Sequence, residues 1–406
     1  MNRRVVITGM GAVTPMGTGA NALFGSWVDR KCGIEDGFGK CREFDPTQYL
    51  TRKEARRTDR FTQLALAACE EALEQAEWPG PDGPYAPTKV GCIMGTGIGG
   101  LITLEKQYEV LRQRGPKAVS PLSIPMMIAN VAAGHLAMRY GFEGINYGVN
   151  SACAASAHAI GAAVHSIAYG EADAAIAGGS EAAITEFAVS GFAAMGASSP
   201  TGISRPFDKR RDGFVLAEAS AVLVLEEGEA AEKRGAPILG EVLGYGATAD
   251  AFHITAPEPD GRGAASAMKL ALQDAEIGPE DVDYINAHGS STPLNDRSET
   301  AAIKHVFGLR AKEIPVTSTK SAIGHPLGAA GAVEAVATVM ALNERLAPPT
   351  LGYEVPEEGL DLDYVPDGPR PIEPRRDNGS VPPAVAISNS FGFGGHNAVL
   401  AFSGAR

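Results

Sequence analysis

Cysteine is scarce and unpaired in this chain. Five occur in 406 residues (Cys32, Cys41, Cys69, Cys92 and Cys153), an odd number, with no C-x-x-C spacing. That pattern argues against a disulfide framework or a structural zinc site and suits a reducing, cytoplasmic setting. Aromatic residues make up only 6%. Basic charge is short too: the formal net charge is −13 and the pI about 5.2. A nucleic-acid coat needs a basic footprint, so nucleic acid is not an expected partner. No run of 18 apolar residues exists, and the longest candidate, "GAAGAVEAVATVMAL", is interrupted by Glu334. "MNRRVVITGMG" starts basic but has no apolar stretch or cleavage site behind it, so neither a leader nor a membrane span is expected.

What is abundant is glycine, 49 residues, and small apolar residues generally. Short β-type runs such as "RVVITGMG", "KVGCIMGTG", "DAAIAGG", "SAVLVLEE", "DYINAHG", "IPVTSTKS" and "AVAISNSFGFGG" alternate with helical patterns such as "DRFTQLALAACEEALEQA" and "GAVEAVATVMALNERL". The alternation predicts an α/β fold whose strands are buried on both faces. "EKRGAPILGEVLGYG" reads as a joint near residue 240, with similar element patterns on either side. Segment 366–383, rich in proline and charge, reads as a surface loop.

Two stretches imitate dinucleotide-binding loops. Gly95, Gly97 and Gly100 match G-x-G-x-x-G after a strand, but no acidic strand end follows about 20 residues on. Close packing is the better reading of these glycines. Cys153, in "INYGVNSACAASAHAIGAAV", is more informative. A helix is predicted from about residue 153 to Tyr169, stopped by Gly170. A thiol there feels the positive end of the helix dipole, which is expected to lower its pKa. The small neighbours leave room for a substrate, and first-turn amides can hold an oxyanion. The other four cysteines are read as inert and buried.

His288 ends one strand, in "DYINAHGSSTPLND", while Lys320 and His325 follow another, in "VTSTKSAIGHPLGAAGAVEA", ahead of a helix containing Glu334. "ISNSFGFGGHNAVL" places Phe393 among glycines. Strand ends of α/β sheets are where sites form. His135, His158, His165 and His305 sit in helical patterns and are read as structural. A metal site built from Cys153, His288 and His325 is open by residue type but has no recognisable ligand spacing, so no metal or cofactor is expected.

Together "SACAASAHAIG", "NAHGSSTPLND", "STKSAIGHPLGAAGAVE" and "SNSFGFGGHN" resemble the β-ketoacyl-acyl carrier protein synthases, the condensing enzymes of bacterial type II fatty acid synthesis. "RVVITGMGAVTPMG", "SRPFDKRRDGFVL" and "PPTLGYEVPEEGLDLDYVP" extend the likeness over nearly the whole chain. The resemblance implies the thiolase-like fold, five layers α-β-α-β-α made of two similar halves, assembled as a homodimer. Residues 1–240 would form the half carrying the nucleophile, and 241–406 the half carrying both histidines and the lysine.

It also implies roles. Cys153 would take an acyl chain from acyl carrier protein. His288 and His325 would hold the thioester carbonyl of malonyl-carrier protein through decarboxylation. Lys320 and Glu334 would support them as a pair. The backbone amides of Cys153 and Phe393 would make the oxyanion hole, with Phe393 also gating an acyl pocket lined by Ile98 and Phe192. The loop "DAFHITAPEP", with His253 and Thr255, resembles a second gate. Lys53, Arg56, Arg57 and Lys117 match a docking patch for the acidic carrier, with Lys209, Arg210 and Arg211 as further candidates. "LAEASA" at 216–221 replaces the family's glycine-rich turn, which puts the turn geometry there in question. A type II polyketide ketosynthase and a non-catalytic chain-length partner are the competing readings; the latter lacks the cysteine.

Overall fold

The structure is a computed structural model that describes residues 3–79, 83–373 and 382–405. Ten strands carry its main sheet: β1 (Val5–Thr14), β2 (Val90–Gly95), β3 (Asn146–Val149), β4 (Ala174–Glu181), β5 (Ala219–Glu227), β6 (Gly240–Ala249), β7 (Tyr284–Asn286), β8 (Val316–Thr317), β9 (Val385–Gly392) and β10 (His396–Gly404). A two-residue strand, Gly17–Thr18, turns back on β1. Six helices complete the frame: α1 (Arg60–Gln75), α2 (Val131–Tyr140), α3 (Ala155–Ala168), α4 (Arg262–Asp274), α5 (Pro293–Phe307) and α6 (Ala330–Glu344).

The strands run β8-β7-β9-β10-β6-β1-β5-β4-β2-β3 across the sheet. Read outward from the central β1–β6 pair, the two sides have the same order and the same parallel and antiparallel steps. Each side follows the chain path βαβαβαββ, so one topology is used twice. The two similar halves expected of the fold are therefore present. They join where Val6 and Ile7 pair with Glu241 and Gly240.

The layers follow from burial. α3 and α6 lie between the halves and pack on strands of both. Most of their length is Ala, Gly and Val with no exposed face, as a helix sandwiched on both sides requires. A Cβ on Gly331 would lie 2.8 Å from the Ala157 Cβ, so the two helices approach closely only because of small residues. α1 and α2 cover the outside of the first half, and α4 and α5 the outside of the second. One central core and two outer cores result, in the five layers α-β-α-β-α.

Of segment 366–383, residues 374–381 lie outside the described residues; Arg370–Pro371 forms a short strand with Leu346–Ala347. The questioned "LAEASA" turn closes without glycine: Ala217 N donates to His325 O, and the buried Glu218 pairs with Arg60 at 2.7 Å. Among the described residues no helix is long and apolar enough to cross a membrane.

Candidate active site

The repeated topology brings equivalent strand ends to one place. Cys153 lies between β3 and α3, and Lys320 and His325 lie between β8 and α6, the matching connection of the second half. His288 follows β7, and Phe393 sits in the turn between β9 and β10. Cys153, His288, His325 and Phe393 line one cavity of about 470 Å³, together with Ile98, Phe192 and Leu327, and Lys320 lies behind His288.

The chain enters the thiol through a tight bend. Ala152 has φ 51°, a left-handed conformation unusual for alanine, and a 3₁₀ turn over Ala152–Ala154 precedes the regular helix. Helix α3 thus begins two residues later than the sequence pattern suggests and ends at Ala168, with Gly170 at φ 77° just beyond it. A Cβ on Gly95 would lie 2.4 Å from Ser156 N, and one on Gly100 2.5 Å from Met126 O, so these glycines serve close packing.

His325 Nε2 lies 3.1 Å from Cys153 Sγ, and the Phe393 backbone N–H also bonds to this sulfur. The rings of His288 and His325 stand edge to face, centroids 5.4 Å apart. Lys320 Nζ is 3.2 Å from His288 Nδ1 and 2.7 Å from His288 O, and it forms a buried ion pair with Glu334. An ammonium only donates, so His288 Nδ1 accepts and its proton must sit on Nε2. The lysine therefore fixes the tautomer that offers an N–H donor on the other side of the ring.

Protonation at the site is governed by burial. It pushes the Cys153 thiol up to about 12, against the downward pulls of Lys320 and the Phe393 amide. The lowering expected from the helix dipole is thus overturned: a helix start is legible in sequence, but the depth of burial is not. Burial, then Lys320 and His325, hold His288 far below the ordinary histidine value; burial and Lys320 do the same to His325. Both imidazoles are neutral near pH 7. Glu334 is raised by burial to about 7.

The potential ligand atoms of Cys153, His288 and His325 lie within 4.8 Å of one another. Residues with no metal-type spacing in sequence do meet, and two of them are engaged in the thiol–imidazole bond. Phe192 touches the ring edge of Phe214, which in turn stands against His325. Thr255 lines the cavity, while exposed His253 accepts from the Thr255 and Ala256 amides. The Gly394 N–H bonds to Ile254 O, tying this loop to the Phe393 turn.

Lys53, Arg56, Arg57 and Lys117 are exposed, the first beside a Thr51–Glu54 capping box that orders the short helix Arg52–Ala55. Lys209 is exposed, but Arg211 is buried and paired with Asp296 and Glu357, and Arg210 is paired with Asp208 and Glu354. Arg211 is therefore structural and cannot meet a partner. Cys41, Cys69 and Cys92 are buried as expected, whereas Cys32 is exposed. Sequence reasoning missed Phe214, Phe391 against His288, and the buried carboxylates Glu181 and Glu299. Glu299 accepts the His288 and Gly289 amides and the Asn389 side chain.

Residues 36–231 match the model of the β-ketoacyl synthase N-terminal domain, and residues 239–354 that of its C-terminal domain. The chain belongs to the β-ketoacyl synthase family. It is 48% identical to the 3-oxoacyl-[acyl-carrier-protein] synthase 2 of Synechocystis sp. across 98% of both chains. It is 44% identical to the enzyme of the same name from Coxiella burnetii, over 99% of this chain and 98% of the relative. Among solved structures it superposes, with a TM-score of 0.88 and 32% identity over the full length of both, on a ketosynthase described as bound to its type II PKS acyl-carrier protein and to the hexaketide.

Proposed function

We propose that this chain is a β-ketoacyl-[acyl carrier protein] synthase that lengthens fatty acyl chains by two carbons. The contact of His325 Nε2 with the Cys153 sulfur, inside a cavity that also holds a tautomer-fixed His288, carries the reading. Cys153 attacks the thioester of an acyl-carrier protein, forms its own acyl thioester and releases the carrier thiol, which keeps the proton in the net step. Malonyl-carrier protein then loses CO₂. The N–H groups of His288 and His325 hold the enolate oxygen, and two neutral imidazoles suit that donor role. The carbanion attacks the acyl carbon on Cys153, with the resulting oxyanion received by the Cys153 and Phe393 amides. Collapse expels the Cys153 thiolate and leaves a β-ketoacyl chain on the carrier.

Lys320, paired with Glu334, holds His288 in position, while Phe393 gates and Ile98 and Phe192 line the acyl pocket. No cofactor or metal enters these steps. Residues 1–240 form the thiol-bearing half and 241–406 the histidine-bearing half in this reading. The partners are acyl- and malonyl-carrier protein, docked through Lys53, Arg56, Arg57 and Lys117, and a second copy of the chain. Five free cysteines support a cytoplasmic setting.

The likeness to a type II polyketide ketosynthase, at 32% identity, keeps that product class as the second reading, but the identities of 44–48% to enzymes named 3-oxoacyl-[acyl-carrier-protein] synthase 2 favour the first. The non-catalytic reading is disfavoured by the presence of Cys153.

The test is incubation with acyl- and malonyl-carrier protein followed by mass spectrometry. The acyl group is expected on Cys153, with Cys153→Ala blocking condensation and His325→Ala acylating without decarboxylating malonate. An acyl group on another residue, or condensation by Cys153→Ala, overturns the assignment.

A further inference from the structure

Glu181, at the end of β4, is fully buried, yet it has no cationic partner among the described residues. Its charge is met by four donors instead. Oε2 accepts the Gly97 amide at 2.6 Å and the Gly328 amide at 3.1 Å. Oε1 accepts the Thr96 hydroxyl at 3.0 Å and the Ile98 amide at 3.3 Å.

These donors come from both halves of the molecule. Thr96, Gly97 and Ile98 form the loop after β2 that carries one wall of the cavity, and Gly328 belongs to the turn that follows His325. The two loops touch backbone to backbone: a Cβ on Gly328 would lie 2.0 Å from Gly97 N. Leu327, strained at φ 42°, faces the cavity beside them. The second half treats its own loop alike, since Glu299 accepts two consecutive amides after β7. Of these two glutamates, Glu181 is the one whose donors come from both halves.

We infer that Glu181 is a positioning residue that clamps the Ile98 loop to the His325 turn and thereby sets how sharply the enzyme discriminates acyl chain length. The inference rests on the acyl-transfer reading above. The carboxylate form is what the geometry needs. Glutamine offers one acceptor oxygen and an NH₂ group, and that group would confront two of the donors. The Ile98 wall would then no longer be held at a fixed distance from Cys153.

The experiment measures the rate of Cys153 acylation by mass spectrometry, using short, medium and long acyl-carrier proteins on wild type and Glu181→Gln. Each bond lost to a charged group is worth about tenfold. With two donors confronted, the ratio between the best and worst chain lengths is therefore expected to shrink by up to about a hundredfold. A merely structural role would slow all lengths by one common factor. Thr96→Val, which removes a single donor, is expected to shift the ratio the same way by less, and it decides the matter should Glu181→Gln not fold. Unchanged ratios in the soluble variants overturn the clamp. Failure of the wild type to acylate at any length overturns the condensing-enzyme reading, and the clamp with it.

Discussion

Burial favours the uncharged forms of the Cys153 thiol and of the His288 and His325 rings, and the consequences for thiol and imidazole differ in sign. For Cys153, raised to about 12, the thiol dominates at neutral pH, so its alkylation by iodoacetamide is expected to accelerate about tenfold per pH unit between roughly pH 7 and 10. A plateau by pH 8 would show that the dipole and Lys320 outweigh burial after all. For His288 and His325 the folded pKa is depressed. Their stabilising effect is present above the unfolded value near 6.5 and is lost as pH falls, by about 1.4 kcal/mol per pH unit per histidine. Glu299 and Glu334, both raised to about 7, act oppositely: they stabilise the fold at low pH and cease to as pH rises through 7. The two effects mask each other in wild type. Denaturant titrations of His288→Asn/His325→Asn should therefore show a variant that gains stability over wild type by about 2.7 kcal/mol per pH unit below pH 6. A constant offset between the two proteins would mean that the histidines are not neutral in the fold. Cys153, His288, Lys320 and His325 were legible because each sits in a short motif where a strand ends. Glu181 and Glu299 were not, since a carboxylate that accepts backbone amides leaves no sequence signature: its partners are main-chain atoms.

At the level of elements, the long buried strands and the helices α1 and α6 were readable from apolar runs and period. Strand β3, four residues with two exposed, was legible only as the strand that gives way to a helix at Cys153, because a short edge strand has little pattern of its own. The doubled topology showed only coarsely, as similar element patterns on either side of the joint near residue 240. The halves repeat a path of strands and helices, while the side chains at matching positions serve different purposes, a thiol in one and a lysine–histidine pair in the other. The small residues around Cys153, read as clearance for substrate, have a second cause in the packing of α3 against α6. Gly331→Val tests it. Even one Cβ there would meet Ala157 at 2.8 Å, so the larger side chain must push the central helices apart. Overpacking of this kind costs about 1–3 kcal/mol. The shift is expected in the denaturant midpoint with the slope unchanged, along with slower acylation as Cys153 moves relative to His325. Full stability in this variant would mean that the two helices have slack between them.

For the whole molecule, two surfaces call for a partner. Among the described residues β3 pairs only with β2, leaving its outer edge open, and Tyr147 on it is 41% exposed. An open strand edge is a pairing template, and a second copy of the same edge would cover it by antiparallel pairing, as the proposed homodimer requires. Light scattering should thus report about twice the 42.1 kDa chain mass, and Tyr147→Lys should shift the population toward that single mass. A monomeric wild type would refute the edge pairing. The second surface is electrostatic. A chain of net charge −13 ought to repel an acidic carrier. Charges are screened beyond about 8 Å at physiological ionic strength, however, so on the proposed docking the carrier would meet the local group Lys53, Arg56 and Arg57, all exposed and in no ion pair among the described residues. Reversing two of these charges replaces attraction by repulsion at close range. Arg56→Glu/Arg57→Glu is therefore expected to raise KM for acyl-carrier protein about tenfold, with kcat little changed, because the patch steers encounter and takes no part in the chemistry. The wild-type KM should rise with added salt and the variant's should not. Equal salt dependence in the two proteins would place the docking surface elsewhere on the molecule.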